Sequence, residues 1–364
     1  MSILQKNFFN VFPNAFGLDL SDLSIKAVWL ERMGKLDSIS SFGSVPLPLG
    51  SVVDGEIVNP DAVQSAIIDL LDKTGPGRIT TRKVICSLPE TKAFLRIISI
   101  PMMASKEVKE AIKWEIEANI PLTLDQVYYD WQILDENFIQ EKGKMSVLVV
   151  AVARSVVDQF QSVLTSAGLE VVGLETESIA QARSLLAEKN EKQTTLIVDI
   201  GDRRSSFLIA IGSTTCFTSS VPLSSQMITD AISKSLQIPF GEAEEIKIKQ
   251  GLGSLALQSP VLKAALPVLE SIATEIERSI DFYLSNLHYS ENIDSIVLCG
   301  GGANMQGLVP FLSRRLGRLV EFGDPWVNVN LGKKIPLIDH NRSVQYSTAI
   351  GLALRGLDEY ENFA

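Results

Sequence analysis

With 364 residues, 46% of them hydrophobic, the chain is long enough for about two domains, each burying a full core. Its formal charge of −10 argues against broad nucleic-acid binding, which leans on basic surface. Three well-separated cysteines in apolar runs, Cys86, Cys216 and Cys299, suit a reducing compartment rather than a disulfide framework, and two isolated histidines, His288 and His340, argue against a histidine-rich metal site or a Ser/His/Asp relay.

In chain order, residues 1–16 hold Ile3, Leu4, Phe8, Phe9, Val11 and Phe12 but one lysine and no long apolar core, so a secretory signal is not expected. A short helix packed on its own domain fits them better than an amphipathic patch touching a partner or a membrane. Apolar runs such as 147–153 fall far short of the roughly 20 residues that span a bilayer, so no crossing segment is expected. Residues 16–30, FGLDLSDLSIKAVWL, read as a strand, a tight turn and a second strand. A third strand is expected at 38–45, a helix opened by Pro60 with Val63, Ile67, Leu70 and Leu71 at helical spacing, and a buried strand at 83–88. This β-β-β-α-β order is not the strict alternation of a doubly wound nucleotide fold.

Residues 89–168 read as a compact α+β unit inserted into the first lobe: strands at 94–100, 127–134 and 145–153, helices at 106–119 and 156–167, and a polar hairpin loop at 137–144. A strand at 169–174 and a helix through Leu186 follow, then a charged crossover at 188–193. The second lobe opens on residues 196–211, LIVDIGDRRSSFLIAI, which repeat the first hairpin: Asp199 falls on Asp19, Ile200 on Leu20 and Asp202 on Asp22. A strand at 216–221 and a helix through Leu236 follow, broken at Pro239 and Gly241, then a helix from Glu242 that ends at 251–254. A long helix at 260–286, a buried strand at 295–299, a helix at 308–316 and a closing helix around Ile350 complete the chain.

The duplicated hairpin carries the chemistry. A turn residue free to bend lets successive N–H groups point into one hollow that holds phosphate oxygens, and the acid beside it can hold a hydrated magnesium ion. Facing copies would clamp one nucleotide; taken singly, Asp-x-Gly at a strand end is also ordinary hairpin chemistry. The strand-to-helix turn LCGGGANMQGL, with Gly300, Gly301 and Gly302, either lets a base or ribose approach the backbone or is only a sharp turn. The absence of GxxxxGK[ST] excludes a P-loop. Glu244 and Lys247, three apart on one helical face, could bracket a ribose hydroxyl and an adenine edge, or form a surface ion pair. Glu177 could orient a water for attack on a γ-phosphate, or merely suit the helix dipole.

Asp19 and Asp199 on paired hairpins, Glu177 on a connecting helix and the glycine turn at 300–302, in that order, resemble the actin-like ATPase superfamily. Along nearly the whole chain, GLDLSDLSIKAV, VVDGEIVNPDAV, AIKWEIEANIPLTLDQVYYDWQIL, SVLVVAVARSVVDQF, SAGLEVVGLETESIAQAR, EIERSIDFY, IVLCGGGANMQGL and STAIGLALRGL are similar to the PilM family, cytoplasmic actin-like components of type IV pilus assembly.

The resemblance implies an α/β actin-like ATPase fold, two lobes with duplicated β-β-β-α-β-α cores and an α+β subdomain inserted as in the division protein FtsA. It implies subdomain IA at 15–88 and 169–193, IC at 89–168, IIA at 194–240 and 293–342, IIB at 241–292, and a closing helix at 343–360 that returns to IA. It implies ATP with Mg2+: the phosphates and metal at Asp19, Ser21, Ser24, Lys26, Asp199, Gly201 and Ser205, with Asp19 and Asp199 the metal acids; the adenosine at Glu244, Lys247, Gly300, Gly301, Gly302 and Asn304; and water positioning by Glu177. Hydrolysis is expected to be slow or absent. The family's partner is the cytoplasmic N-terminal tail of PilN, received between IA and IC, with Leu88, Pro89, Ile120 and Pro121 as candidate contacts. PilN links onward to PilO and the motor ATPases, which places the protein in the cytoplasm at the inner-membrane face, with self-association open to it. An FtsA-like division protein and a small-molecule kinase of the same superfamily are the alternatives. Two departures stand out: Ser21 where the family usually has Gly, expected to weaken the phosphate hollow, and Asp202, Arg203 and Arg204 where relatives carry small or hydroxyl residues.

Overall fold

The computed structural model describes residues 15–361 apart from 34, 121, 136–137, 139–141, 191, 254–258, 288–291 and 333–336. The readings made of residues 1–14, Pro121, His288, Ser254 and most of the 137–144 loop lie outside the described residues.

The chain begins with β1 (Phe16–Leu20), β2 (Ser24–Met33) and β3 (Leu36–Pro46), followed by the small hairpin β4 (Val52–Val53) and β5 (Glu56–Ile57). Helix α1 (Pro60–Lys73) is set by its ends: the Asn59 side chain accepts from the N–H of Ala62, Pro60 occupies the first turn, and Lys73 closes the last. Then come β6 (Gly75–Pro76) and β7 (Lys83–Leu88). The inserted unit is β8 (Ala93–Pro101), α2 (Ser105–Asn119), β9 (Val127–Ile133) and β10 (Lys144–Ala153), leading into α3 (Arg154–Ser166). The chain returns through β11 (Glu170–Thr176) and α4 (Glu177–Leu185).

The second lobe holds β12 (Thr194–Ile200), β13 (Ser205–Ile211), β14 (Thr214–Val221), α5 (Ser225–Leu236), α6 (Phe240–Gln250), α7 (Pro260–Phe282), β15 (Ser295–Cys299), α8 (Leu308–Leu316) and β16 (Val320–Phe322). Helix α6 starts at Phe240, so Gly241 lies in its first turn and does not break the chain as expected; Pro239, just ahead of it, marks the start. The short α9 (His340–Ser343) and α10 (Ser347–Glu361) close the chain.

The two main sheets share one five-strand order, to which the first adds β6. One runs β11-β7-β1-β2-β3-β6 and the other β14-β13-β12-β15-β16. In each, the first three strands pair antiparallel and the next two add in parallel, β1 to β7 to β11 and β12 to β15 to β16. Each copy thus extends the expected β-β-β-α-β-α order by one parallel strand. Central strands covered on both faces are buried at every position, as in FGLDL and SIVLC, which are apolar but for Asp19 and Ser295, whereas the flanking β3 alternates.

The three-stranded sheet β8-β10-β9 has two different covers. Val147, Val149 and Ala151 pack with Val108, Ile112 and Ile116 of α2. The opposite residues, Ile97 and Leu148 together with Leu134 and Phe138, join the core of the second lobe. Helix α4 lies between the lobes, with Ala182, Leu185 and Leu186 packed on Ile197, Leu208 and Val297. Residues 326–331, expected with the second lobe, instead pack with the first: Trp326, Val329 and Leu331 share a core with Val28, Leu30 and Ile39, and the Asp37 carboxylate accepts from the N–H of Asn330 at 2.9 Å. Helix α10 completes that core with Ala349, Ile350, Ala353 and Leu354.

Candidate functional site

Equivalent places in the two copies open onto one cleft of about 1040 Å³, solvent at its mouth included, lined by residues of both lobes. Asp19 lies near the end of β1, directly across from Lys26 on β2, whose Nζ is 3.5 Å from its Oδ2. Asp19 is 6% exposed and also accepts from the Ser87 hydroxyl at 3.3 Å. Asp199 stands at the matching position of β12 and accepts from the Gln181 amide of α4, which also donates to Thr348 Oγ1 at 3.2 Å. Both duplicated acids thus line the one cleft.

The cleft is crowded with acid. Glu177 lines it with its carboxyl enclosed, and burial first, then the charges of Asp19, Glu90 and Asp199, hold that carboxyl well above the usual range. Burial likewise pushes Asp199 up to about 6, with the Gln181 hydrogen bond opposing and Asp19 adding to the rise. A native acid that keeps its proton to higher pH than the unfolded chain stabilises the fold below about pH 4, and that contribution is lost as pH rises through about 6. In the absence of divalent cations the protein is therefore expected to lose about 2 kcal/mol between pH 4.5 and 7 that the Asp199→Asn variant keeps. Urea denaturation of both proteins at the two pH values checks this; parallel losses would overturn it.

The structure brings Asp19, Ser21, Lys26, Glu177, Asp199, Gly201, Gly300 and Gly301 together around the cleft. Gly300 is required there: it has φ +80°, and a Cβ would sit 2.0 Å from Asp199 Oδ1. Gly201 does not have positive φ; its hydrogen suits the turn because a Cβ would lie 2.7 Å from the Arg204 carbonyl oxygen. Ser21 also lies outside the left-handed region, and its hydroxyl donates to the Ser24 carbonyl at 2.9 Å, so its Cβ costs the turn no strain.

Other expected contacts lie elsewhere. Ser24 does not line the cleft; its Oγ accepts from Lys26 Nζ at 2.9 Å. Ser205 is fully buried and donates to the Leu223 carbonyl at 2.8 Å, so its hydroxyl is taken. Lys247 is 6% exposed, and its Nζ donates to Ser225 Oγ at 2.7 Å and Thr229 Oγ1 at 2.8 Å and pairs with Glu244 at 2.8 Å. The Glu244–Lys247 pair is neither a cleft wall nor a surface bridge; it ties α6 onto α5. Gly302 packs on Ile200, where a Cβ would meet Cγ2 at 2.4 Å, and Asn304 is exposed outside the cleft. Leu88 is buried in the first-lobe core and Ile120 in the core of the inserted unit, so neither presents a side chain to a peptide; Pro89 lines the cleft.

Sequence reasoning missed Gln181, Glu90, Ser87 and Thr348. Gln181 lies four residues after Glu177 on the same face of α4, a spacing that could have found it. Arg204 neither points outward nor stands free for phosphate: it donates to Ser220 Oγ at 3.1 Å and the Ser220 carbonyl at 3.0 Å, and its Nη1 lies 3.7 Å from Asp54 of the first lobe. Arg203 is exposed and lines the cleft.

Among the described residues, no three acid, histidine or cysteine side chains stand close enough to cage a metal ion. The donors are nevertheless of the right kind for magnesium, which keeps several waters and takes one or two carboxylates plus phosphate oxygens. Asp19 and Asp199 fit that role, and the cleft lining sets seven acids, Asp22, Asp54 and Asp202 among them, against Lys26, Arg203 and Arg204, an excess of carboxyl groups that a divalent cation would relieve.

A family profile described as type IV pilus assembly protein PilM matches residues 17–357. Among solved structures, a PilM–PilN type IV pilus biogenesis complex superposes with TM-score 0.79 and 28% identity, covering 94% of this chain and 98% of that one. The ethanolamine utilization protein EutJ of Carboxydothermus hydrogenoformans follows at TM-score 0.56, 19% identity and coverage of 94% and 89%. MreB5 of Spiroplasma citri bound to AMPPNP gives TM-score 0.54 and 14% identity, covering 96% and 98%. These likenesses show an actin-like α/β fold. Cell division protein FtsA of Pseudomonas aeruginosa is 27% identical over 239 residues, which are 61% of this chain and 55% of that protein, so the chain spans about half the length of the curated relatives it matches. Among the described residues no helix is long and apolar enough to cross a membrane.

Proposed function

Since this chain belongs to the PilM family of type IV pilus assembly proteins, an actin-like group, we propose that it is an ATP-binding adaptor in the cytoplasm, at the inner-membrane face of a pilus machine. The observation that carries this reading is the convergence of Asp19 and Asp199, from two copies of one hairpin, on a single cleft. In this reading the turns at Ser21 and Gly201 would hold the phosphates, with Lys26 and Arg203 offering positive charge, and Asp19 and Asp199 would hold the hydrated magnesium ion. Gly300 and Gly301 would let the adenosine approach, and Glu177 would orient water. Magnesium supplies charge neutralisation between the acids and the phosphates; the protein supplies positioning.

The partner would be the cytoplasmic tail of PilN, and through it PilO and the motor ATPases. Support comes from the solved PilM–PilN complex that this chain resembles over nearly its whole length. The inserted unit, subdomain IC at 89–168, leaves the first lobe at Pro89, which lines the cleft. Movement of the lobes about a bound nucleotide would then move the groove between IA and IC that receives the tail.

Titration of a fluorescent ATP analogue with and without Mg2+, repeated with a synthetic PilN tail, tests the reading. Saturable micromolar binding, about 8 kcal/mol, that requires Mg2+ and shifts tail affinity is the expected result. Absence of saturable binding removes the nucleotide from the account.

A further inference from the structure

One acid at the cleft has no partner for part of its carboxyl group. Glu90 opens the single turn Glu90–Lys92 between β7 and the inserted sheet. It is 7% exposed, pairs with no cation among the described residues, and its Oε1 has no hydrogen-bond partner. The rest of the group is firmly held. Its Oε2 accepts from the N–H of Ser178 at 3.3 Å, and the Ser178 and Thr218 hydroxyls also donate to the carboxyl, the latter from β14 of the second lobe. In return, the Glu177 carboxyl accepts from the N–H of Glu90. The two carboxyls thus hold neighbouring backbone, Glu177 that of Glu90 and Glu90 that of Ser178, and a hydroxyl of the second lobe steadies Glu90.

A buried oxygen left without a partner costs stability unless something outside the protein meets it. Glu90 lines the same hollow as Asp19, Glu177 and Asp199. Among the described residues no three of these acids form a group that could hold a metal ion by themselves, so a cation there would keep several of its waters. We propose that Glu90 is an outer-shell ligand of the cleft's divalent cation: Oε1 accepts from a water of the hydrated ion, which sits between the two lobes. The position of Glu90 also ties occupancy of that site to the root of the inserted sheet. This inference rests on the nucleotide reading above and adds a residue to it.

The test is the ratio of fluorescent-ATP affinities measured in Mg2+ and in EDTA, for the wild type and for Glu90→Gln. Glutamine keeps an acceptor for Ser178 and removes the charge. The expected result is about a ten-fold fall in that ratio, an unchanged affinity in EDTA, and a raised melting temperature, since a buried unpaired acid is gone. A merely structural Glu90 would lower the melting temperature and weaken binding equally in both media, and that result overturns the proposal. An unchanged ratio does so too. Thr218→Val, which loosens the carboxyl without touching it, is the second variant and should lower the ratio partway; no change there, should Glu90→Gln fail to fold, counts against the idea. Binding by the wild type with an unchanged ratio in the variants removes Glu90 alone, whereas no binding by the wild type in either medium removes the nucleotide reading and this inference with it.

Discussion

Asp199→Ala is expected to lower the affinity for Mg·ATP about a hundred-fold, close to 3 kcal/mol, without loss of fold. The carboxylate is one of two acids on the duplicated hairpins, and alanine leaves only Asp19 to meet the metal's shell while the Gln181 amide loses its acceptor. The fold should survive because the acid is held above its ordinary range by burial, so its removal relieves a cost. Fluorescent-ATP titration in Mg2+ and urea denaturation of the same preparations measure the two halves. Equal affinity in wild type and variant would detach the hairpins from nucleotide binding, whatever their symmetry.

Gly351→Ala should be the most damaging single methyl group in the first lobe, costing about 3 kcal/mol. An added Cβ would stand 1.8 Å from the Ala180 carbonyl oxygen and 2.5 Å from its carbon, backbone atoms that no rotamer change can move aside. Helix α10 would have to retreat from α4, and with it Thr348 from Gln181 and the core formed with Val28, Leu30 and Ile39. Because α4 carries both Glu177 and Gln181, the displacement should also weaken ATP binding, so the stability and affinity losses should appear together. An unfolding free energy from urea denaturation within about 1 kcal/mol of wild type, by the usual linear extrapolation, would mean that the two helices separate freely.

Much of the architecture was legible locally. The strands at 83–88 and 295–299 and the helix at 308–316 match the observed elements, because apolar periodicity and turn residues act within a few positions. The repeat of Asp19 in Asp199 was legible for the same reason: two copies of one hairpin keep their acid at the same register, and the sheets share one five-strand order too. Where reading went astray, a side chain had found a distant partner. Lys247 looked like half of a surface or ligand pair and is a buried bolt between α5 and α6; Ser205 looked free and is spent on Leu223.

The sequence by itself determined the alternation of lobes and insert, the duplicated acids and the glycine turn beside them. Only the tertiary structure decided that the inserted sheet leans its second face on the other lobe, that residues 326–331 return to the first, and that Glu90 and Gln181 join the cleft. The physical reason is that a local pattern fixes which face of an element must leave water, whereas burial is non-directional and does not name the face that covers it. Those pairings arise from packing across hundreds of residues, and with them the carboxyl groups that give the cleft its charge.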